Sequence, residues 1–230
     1  MKYLKSIGVN TFKIASPDID NFPLLYAMRK NLKKVFISTG MSTLKEISDT
    51  LEFLKKIKIS KNKICFLHCV SDYPAKETEL NLNVIKVIGQ KLNVKVGYSD
   101  HSIGDVASIV AVALGAQVIE KHITLNKKMK GPDHTTSMNE KEFISFVKKI
   151  RKSEVVMGKK IKKITKGESS NYKMIKRSVF LSRDVFKGQK FKISDFVCIR
   201  PRNIMKPINW SKVINKKVKK NLKKGELIKI

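Results

Sequence analysis

The chain has 230 residues, 42% of them hydrophobic, and 49 Lys and Arg against 19 Asp and Glu give a formal net charge of +30. That apolar content excludes wholesale disorder, and no run reaches the roughly 18–20 apolar residues of a bilayer span, so one large or two small folded domains without a membrane partner are expected. The charge does not point to specific nucleic-acid binding: six of the basic residues are Arg, the Lys is spread along the whole chain, and aromatics make up 7%, whereas base readers and single-strand binders use Arg forks and interleaved aromatics.

Short apolar runs occur at 11–16, 34–39, 63–69, 94–99 and 117–122, each followed by a segment of helical period. The first helix carries Leu24, Leu25 and Met28, and the second carries Leu44, Ile47, Leu51 and Leu54 behind a Thr43-x-x-Glu46 capping box. The third carries Leu82, Val84, Ile85 and Ile88, and the fourth Val106, Ile109, Val110 and Ala113. The fifth carries Phe143, Phe146, Val147 and Ile150 behind Asn139-x-x-Glu142. Five βα units in series predict a parallel sheet covered by helices. At roughly 31 residues per unit, residues 1–158 hold about five units, too few to close a (β/α)₈ barrel. An open doubly wound sheet is the alternative, but no glycine-rich phosphate loop of the dinucleotide or P-loop type follows any strand.

Residues 159–172 are polar and lysine-rich and read as a linker. Residues 173–230 read as a small, mostly β domain with strands at 178–181, 191–193 and 196–199. Within it, 183–189 and 220–226 look like two versions of one turn. Cys65, Cys69 and Cys198 lack zinc spacing, and the opening Met1-Lys2-Tyr3-Leu4-Lys5 has no apolar signal core. Buried packing for the thiols and a cytoplasmic location are expected.

Polar residues gather where the five predicted strands end: Lys13 and Ser16, Ser38 and Thr39, His68 with Ser71 and Tyr73, Ser99-Asp100-His101, and Glu120-Lys121-His122. In parallel α/β folds that rim binds ligands. Strand alternation puts Ser99 with His101, and Glu120 with His122, on one face. Two imidazoles there suit a borderline divalent ion, or each merely satisfies core hydrogen bonds. Lys13 near Ser16 and Ser99 forms an anion pocket, or is a snorkelling surface lysine.

Six ordered motifs are familiar: Phe12–Ser16, Ile37–Met41, Leu67–Pro74, Gly97–His101, Ile119–Thr124 and Gly131–His134. Together they closely resemble the N-acetylneuraminate (sialic acid) synthase family, and the tail, with Arg177-Ser178 and Ile199-Arg200-Pro201, resembles that family's antifreeze-like domain. The resemblance implies a partial TIM barrel, its last five βα units, joined to a β-clip domain. It also implies condensation of phosphoenolpyruvate with N-acetylmannosamine or a related amino sugar to give a nonulosonic acid.

By the same resemblance, His101 and His122 match the protein ligands of a divalent metal, Mn²⁺. Lys13, Ser16 and Ser99 match phosphoenolpyruvate ligands, with Ser71 at a position that is Asn in some members. Tyr73, Glu120 and Asp133 match sugar contacts or their supports. Arg200 matches an arginine that the antifreeze-like domain extends into the partner subunit's site, implying a swapped homodimer. Arg202 stands where the family usually has Gly. Family members carry three further βα units ahead of the Lys13 strand, with a catalytic Glu. The resemblance therefore implies a C-terminal piece, active only with a separate N-terminal barrel fragment, or else a non-catalytic remnant. Another phosphoenolpyruvate aldolase on a barrel is the competing enzyme, and the antifreeze-like tail argues against it.

Overall fold

Each apolar run that the sequence marks as a strand in the first 158 residues pairs with the next in the computed structural model, which describes residues 1–227. The strands are β1 (Thr11–Ile14), β2 (Lys34–Ser38), β3 (Ile64–Cys69), β4 (Lys95–Asp100) and β5 (Ile119–Lys121), all parallel in the order β1-β2-β3-β4-β5. A doubly wound sheet reverses its strand order at a switch point; this one does not. The helices are α1 (Lys2–Ser6), α2 (Phe22–Met28), α3 (Leu44–Lys56), α4 (Val84–Leu92), α5 (Val106–Ala113) and α6 (Glu140–Met157). Both expected capping boxes are present: Thr43 with Glu46 opens α3 and Asn139 with Glu142 opens α6.

Alternation along the strands divides the sheet into two chemically different faces. Phe12, Ile14, Val35, Ile37, Ile64, Phe66, Val96 and Tyr98 pack with Leu25, Met28, Leu51, Leu54, Ile85, Ile88 and Ala111 in one buried core beneath the helices. The central strand β3 is buried along its whole length. Val112, Met138, Phe146 and Ile150 form a smaller cluster where α6 meets α5. The opposite face carries Lys13, Ser38, Cys69, Ser99 and Glu120 by parity and register.

His68, which the sequence places near the rim, has the parity of the helix-covered face. It is 8% exposed, and its Nε2–H donates to the Leu80 carbonyl at 2.7 Å. Burial lowers its pKa from the usual 6.5, against the opposing pull of that backbone bond. Below that pH the unfolded chain takes up a proton that the folded one resists, so stability is present above it and falls as pH drops. Urea midpoints at about pH 7.5 and about pH 5.5 should therefore differ less in His68→Gln than in the unaltered protein; an equal difference would contradict this.

Lys160 opens a second compact unit. Across the end of the stretch that reads as a linker, 159–172, runs α7 (Lys166–Ile175), opened by a Thr165/Glu168 capping box. Antiparallel β6 (Ser178–Leu181) and β7 (Phe196–Ile199) follow, around a core of Val179, Leu181, Val185, Phe191, Met205, Val213 and Val218. The strand expected at 191–193 is absent. Phe191 is buried as a core plug, and Ile193–Asp195 is a single 3₁₀ turn held by Asp195, whose carboxylate accepts from the Lys192 amide and the Arg183 guanidinium. The two similar turns pair with each other: Val185 and Leu222 exchange backbone hydrogen bonds at 2.8 and 2.9 Å. Gly188 and Gly225 take matching positive φ angles of 89° and 80°, a conformation that favours glycine. Among the described residues, no helix is long and apolar enough to cross a membrane.

Candidate active site

The C-terminal ends of β1 to β5 surround a cavity of about 340 Å³ lined by Lys13, Ser16, Ser38, Cys69, Ser71, Tyr73, Ser99, His101, Glu120 and His122, together with Ala15, Pro17 and Met41. Parity and register explain the gathering. Ser99 pairs with Cys69 on one side and with Glu120 on the other, so all three project to the same face. His101 and His122 follow two residues after Ser99 and Glu120. Their rings lie 5.2 Å apart in an edge-on arrangement, and the Tyr73 ring sits 4.2 Å from His101 and 5.7 Å from His122.

Glu120 is the electrostatic centre of the cavity. Its Oε1 accepts from Ser99 Oγ at 2.7 Å and lies 3.5 Å from Lys13 Nζ, and both charged side chains are about one-third exposed, at 34% and 39%. Lys13 thus turns its amine toward Glu120 at the cavity while its side chain stays partly exposed. Ser16 Oγ accepts from the Gly40 amide at 3.0 Å. A Cβ at Gly40, just after β2, would collide with the Ser71 and Ser16 hydroxyls, so a side chain here requires those hydroxyls to move.

The donor set at His101 is determined by its neighbours. Its Nδ1 faces the Val70 carbonyl at 2.8 Å and must carry the proton. Ser99 Oγ lies 3.4 Å from Nε2, but its single proton is engaged by Glu120. In the neutral ring the Nε2 lone pair then lies toward the cavity without a donor, with the carbonyl orienting the ring from behind. His122 Nδ1 is 3.8 Å from Asp133 Oδ2 and makes no hydrogen bond to it. Among the described residues, no group of three or more His, Cys, Asp or Glu side chains is placed to hold a metal alone. Two imidazoles alone would leave the other positions of any cation to water or substrate oxygens.

Asp133 lines an adjoining cavity of about 410 Å³ with His122, His134 and Ser137. His134 Nδ1 and Thr124 Oγ1 are 2.8 Å apart at its edge. Arg200 belongs to the second unit, exposed just after β7. Burial pushes the Tyr73 phenol up, with the Cys69, Asp133 and Glu120 charges adding to it.

Three features of the cavity were not assigned a role from the sequence. Ser38 is 3% exposed and its hydroxyl has no partner, although it lines the cavity. Gly40 lies in close approach to the Ser71 and Ser16 hydroxyls. Cys69, expected only to pack, also faces the cavity, where burial raises its pKa against the hydroxyls of Ser16, Ser99 and Ser71 and the Lys13 charge. The one available signal was parity: Ser38 and Cys69 end β2 and β3 on the same face as Ser99.

Residues 1–162 match the NeuB family and residues 176–230 match the SAF domain. The chain is 38% identical over 226 residues to an N,N'-diacetyllegionaminic acid synthase from Campylobacter jejuni, covering 98% of this chain and 68% of the relative. It is 32% identical over 229 residues to a pseudaminic acid synthase from the same species, covering 100% and 66%. The crystal structure of the N-acetylneuraminic acid (sialic acid) synthetase from Leptospira borgpetersenii serovar Hardjo-bovis, in complex with citrate, superposes with a TM-score of 0.68 at 36% identity, covering 74% of this chain and 59% of that one. The chain spans about two thirds of the length of the curated relatives it matches, 68%, 66% and 63% for three of them. Matched along both of its units and at this level of identity, the chain is a member of the NeuB family carrying a SAF domain.

Proposed function

We propose that the cavity binds phosphoenolpyruvate and an open-chain N-acetylated amino sugar, N-acetylmannosamine or a relative, and joins them into a nonulosonic acid. The observation that carries the reading is the paired imidazoles beside a lysine and a ring of hydroxyls in one cavity. Lys13 offers a cation, and Ser16, Ser71 and Ser99 offer hydroxyls, to the phosphate and carboxylate of phosphoenolpyruvate. His101 and His122 would hold a divalent cation such as Mn²⁺, which when bound supplies Lewis acidity at the sugar aldehyde.

Tyr73, Glu120 and Asp133 then orient the sugar so that its carbonyl carbon faces C3 of phosphoenolpyruvate. The enol π electrons form the new C–C bond, water adds at the electron-poor C2, and the resulting tetrahedral carbon expels inorganic phosphate with its bridging oxygen. Glu120, 3.5 Å from Lys13, would take the proton that water loses, and the aldehyde oxygen, left as an alkoxide when the C–C bond forms, takes up a proton to become the new hydroxyl.

A barrel wall needs eight strands, so the reading requires βα units paired on the outer edges of β1 and β5, on this or a separate chain. It also includes a swapped homodimer in which Arg200 of one subunit enters the other's site. The assembled barrel, with Mn²⁺, phosphoenolpyruvate and N-acetylmannosamine, should release phosphate and nonulosonic acid in equal amounts. Release without sugar, or none from the assembled barrel with any N-acetylated amino sugar, would refute the reading.

Gly40→Ala should push the Ser16 and Ser71 hydroxyls aside and weaken phosphoenolpyruvate binding by roughly 10–100-fold, with the fold retained by circular dichroism. Unchanged affinity in calorimetric titration would remove both hydroxyls from the proposed anion site.

A further inference from the structure

Asp100 and Lys121 each precede one of the two imidazoles, and they pair with each other across β4 and β5 on the sheet's opposite face. Their side chains are 0% and 2% exposed, with Lys121 Nζ 3.0 Å from Asp100 Oδ2. Every acceptor position is engaged. Oδ1 accepts from the Ser102 amide at 2.9 Å and hydroxyl at 2.7 Å, and Oδ2 accepts from Ser108 Oγ of α5 at 2.6 Å. Lys121 Nζ also donates to the Ser102 carbonyl.

A buried ion pair carries a desolvation cost that apolar side chains of similar volume avoid, so stability alone does not account for it. What it fixes is position. β5 has three residues, and its ladder to β4 ends on this pair. Beyond it, the His122 main chain is tied to the Met138 amide at 3.0 Å. The two imidazoles are held differently: the His101 ring bonds directly to Val70 O at 2.8 Å, whereas His122 Nδ1 has its nearest carboxylate at 3.8 Å. The placement of His122 is therefore transmitted through its backbone, which the Met138 amide holds at His122 itself and the Asp100–Lys121 pair holds one residue behind.

We propose that the Asp100–Lys121 pair is a positioning device that holds His122 opposite His101 and so sets the affinity of the imidazole pair for a divalent cation. The inference rests on the metal reading above and adds residues that do not face the cavity. It is tested on the full chain by Mn²⁺ titration followed by electron paramagnetic resonance, and by ¹H–¹⁵N spectra of the histidine rings in metal-free protein. Lys121→Met should weaken Mn²⁺ binding by about 10–100-fold, the usual effect of removing a ligand's support. It should also shift the His122 ring signals while leaving the His101 Nδ1–H signal, and binding of inorganic phosphate beside Lys13, unchanged. Lys121→Arg should recover most of the loss. Ser108→Ala, which keeps the ion pair but removes one of its supports, should give a smaller change in the same direction and serves if Lys121→Met does not fold.

Undiminished Mn²⁺ affinity with unmoved His122 signals in both variants would overturn the positioning role. If the unaltered protein shows no His101-dependent Mn²⁺ binding, the metal reading is what fails. An unmoved His122 ring in the metal-free variants would then still overturn the positioning role independently.

Discussion

Replacing His101 with alanine is expected to weaken Mn²⁺ binding by at least about 100-fold, because it removes one of two protein donors outright, not merely a support behind one. The geometry makes this sharper than a general loss of polarity. His101 Nδ1–H is committed to the Val70 carbonyl and the Ser99 proton to Glu120, so the Nε2 lone pair has no other partner to satisfy. His122→Ala should give a loss of similar size. Phosphoenolpyruvate affinity should change far less, since none of the residues proposed to hold it, Lys13, Ser16, Ser71 and Ser99, is removed, and Ser99 keeps its hydrogen bond to Glu120. Isothermal titration with each ligand separately reads both effects, and a parallel loss of both would indicate collapse of the rim instead of removal of a donor.

Phe66→Ala is expected to destabilise the first unit by about 3–5 kcal/mol, the range for truncating a large buried side chain. Phe66 is 0% exposed on the central strand, packed in the core shared by α2, α3 and α4. For a unit of this size the loss should lower its calorimetric transition by roughly 10 °C. Leu125→Ala, at a side chain 96% exposed, should stay within about 0.5 kcal/mol. Equal effects of the two substitutions in scanning calorimetry would contradict the assigned core.

The five βα units were legible because each signal is local: β-branched runs, helical periodicity, and the Thr43/Glu46 and Asn139/Glu142 boxes that open α3 and α6. α7 was missed for the opposite reason. Its Thr165-x-x-Glu168 box is as plain as the others, but none of its residues is buried, so no apolar stripe accompanies the cap. Phe191 reads as part of a strand because an aromatic between polar residues imitates alternation; Asp195 instead captures the backbone there and turns it.

At the site, parity alone placed Ser99 with His101 and Glu120 with His122 on one face. The same parity, read for the other face, puts Asp100 against Lys121. The sequence does not reveal that α5 brings Ser108 to close that pair, or that Ser71 crowds the backbone at Gly40, because both are contacts between elements distant along the chain. Asp133 and Tyr73 could be tied to the imidazoles only through the family resemblance, since no periodicity extends through the loops that carry them.

The central claim is that a cation on the two imidazoles and a phosphoester beside Lys13 occupy one cavity. Paramagnetic broadening of the ³¹P signal of phosphoenolpyruvate by protein-bound Mn²⁺ measures this without any turnover. Strong broadening is expected with the unaltered protein and none above the free-metal level with His101→Ala. Tight Mn²⁺ binding that leaves the ³¹P line of bound phosphoenolpyruvate sharp would contradict it.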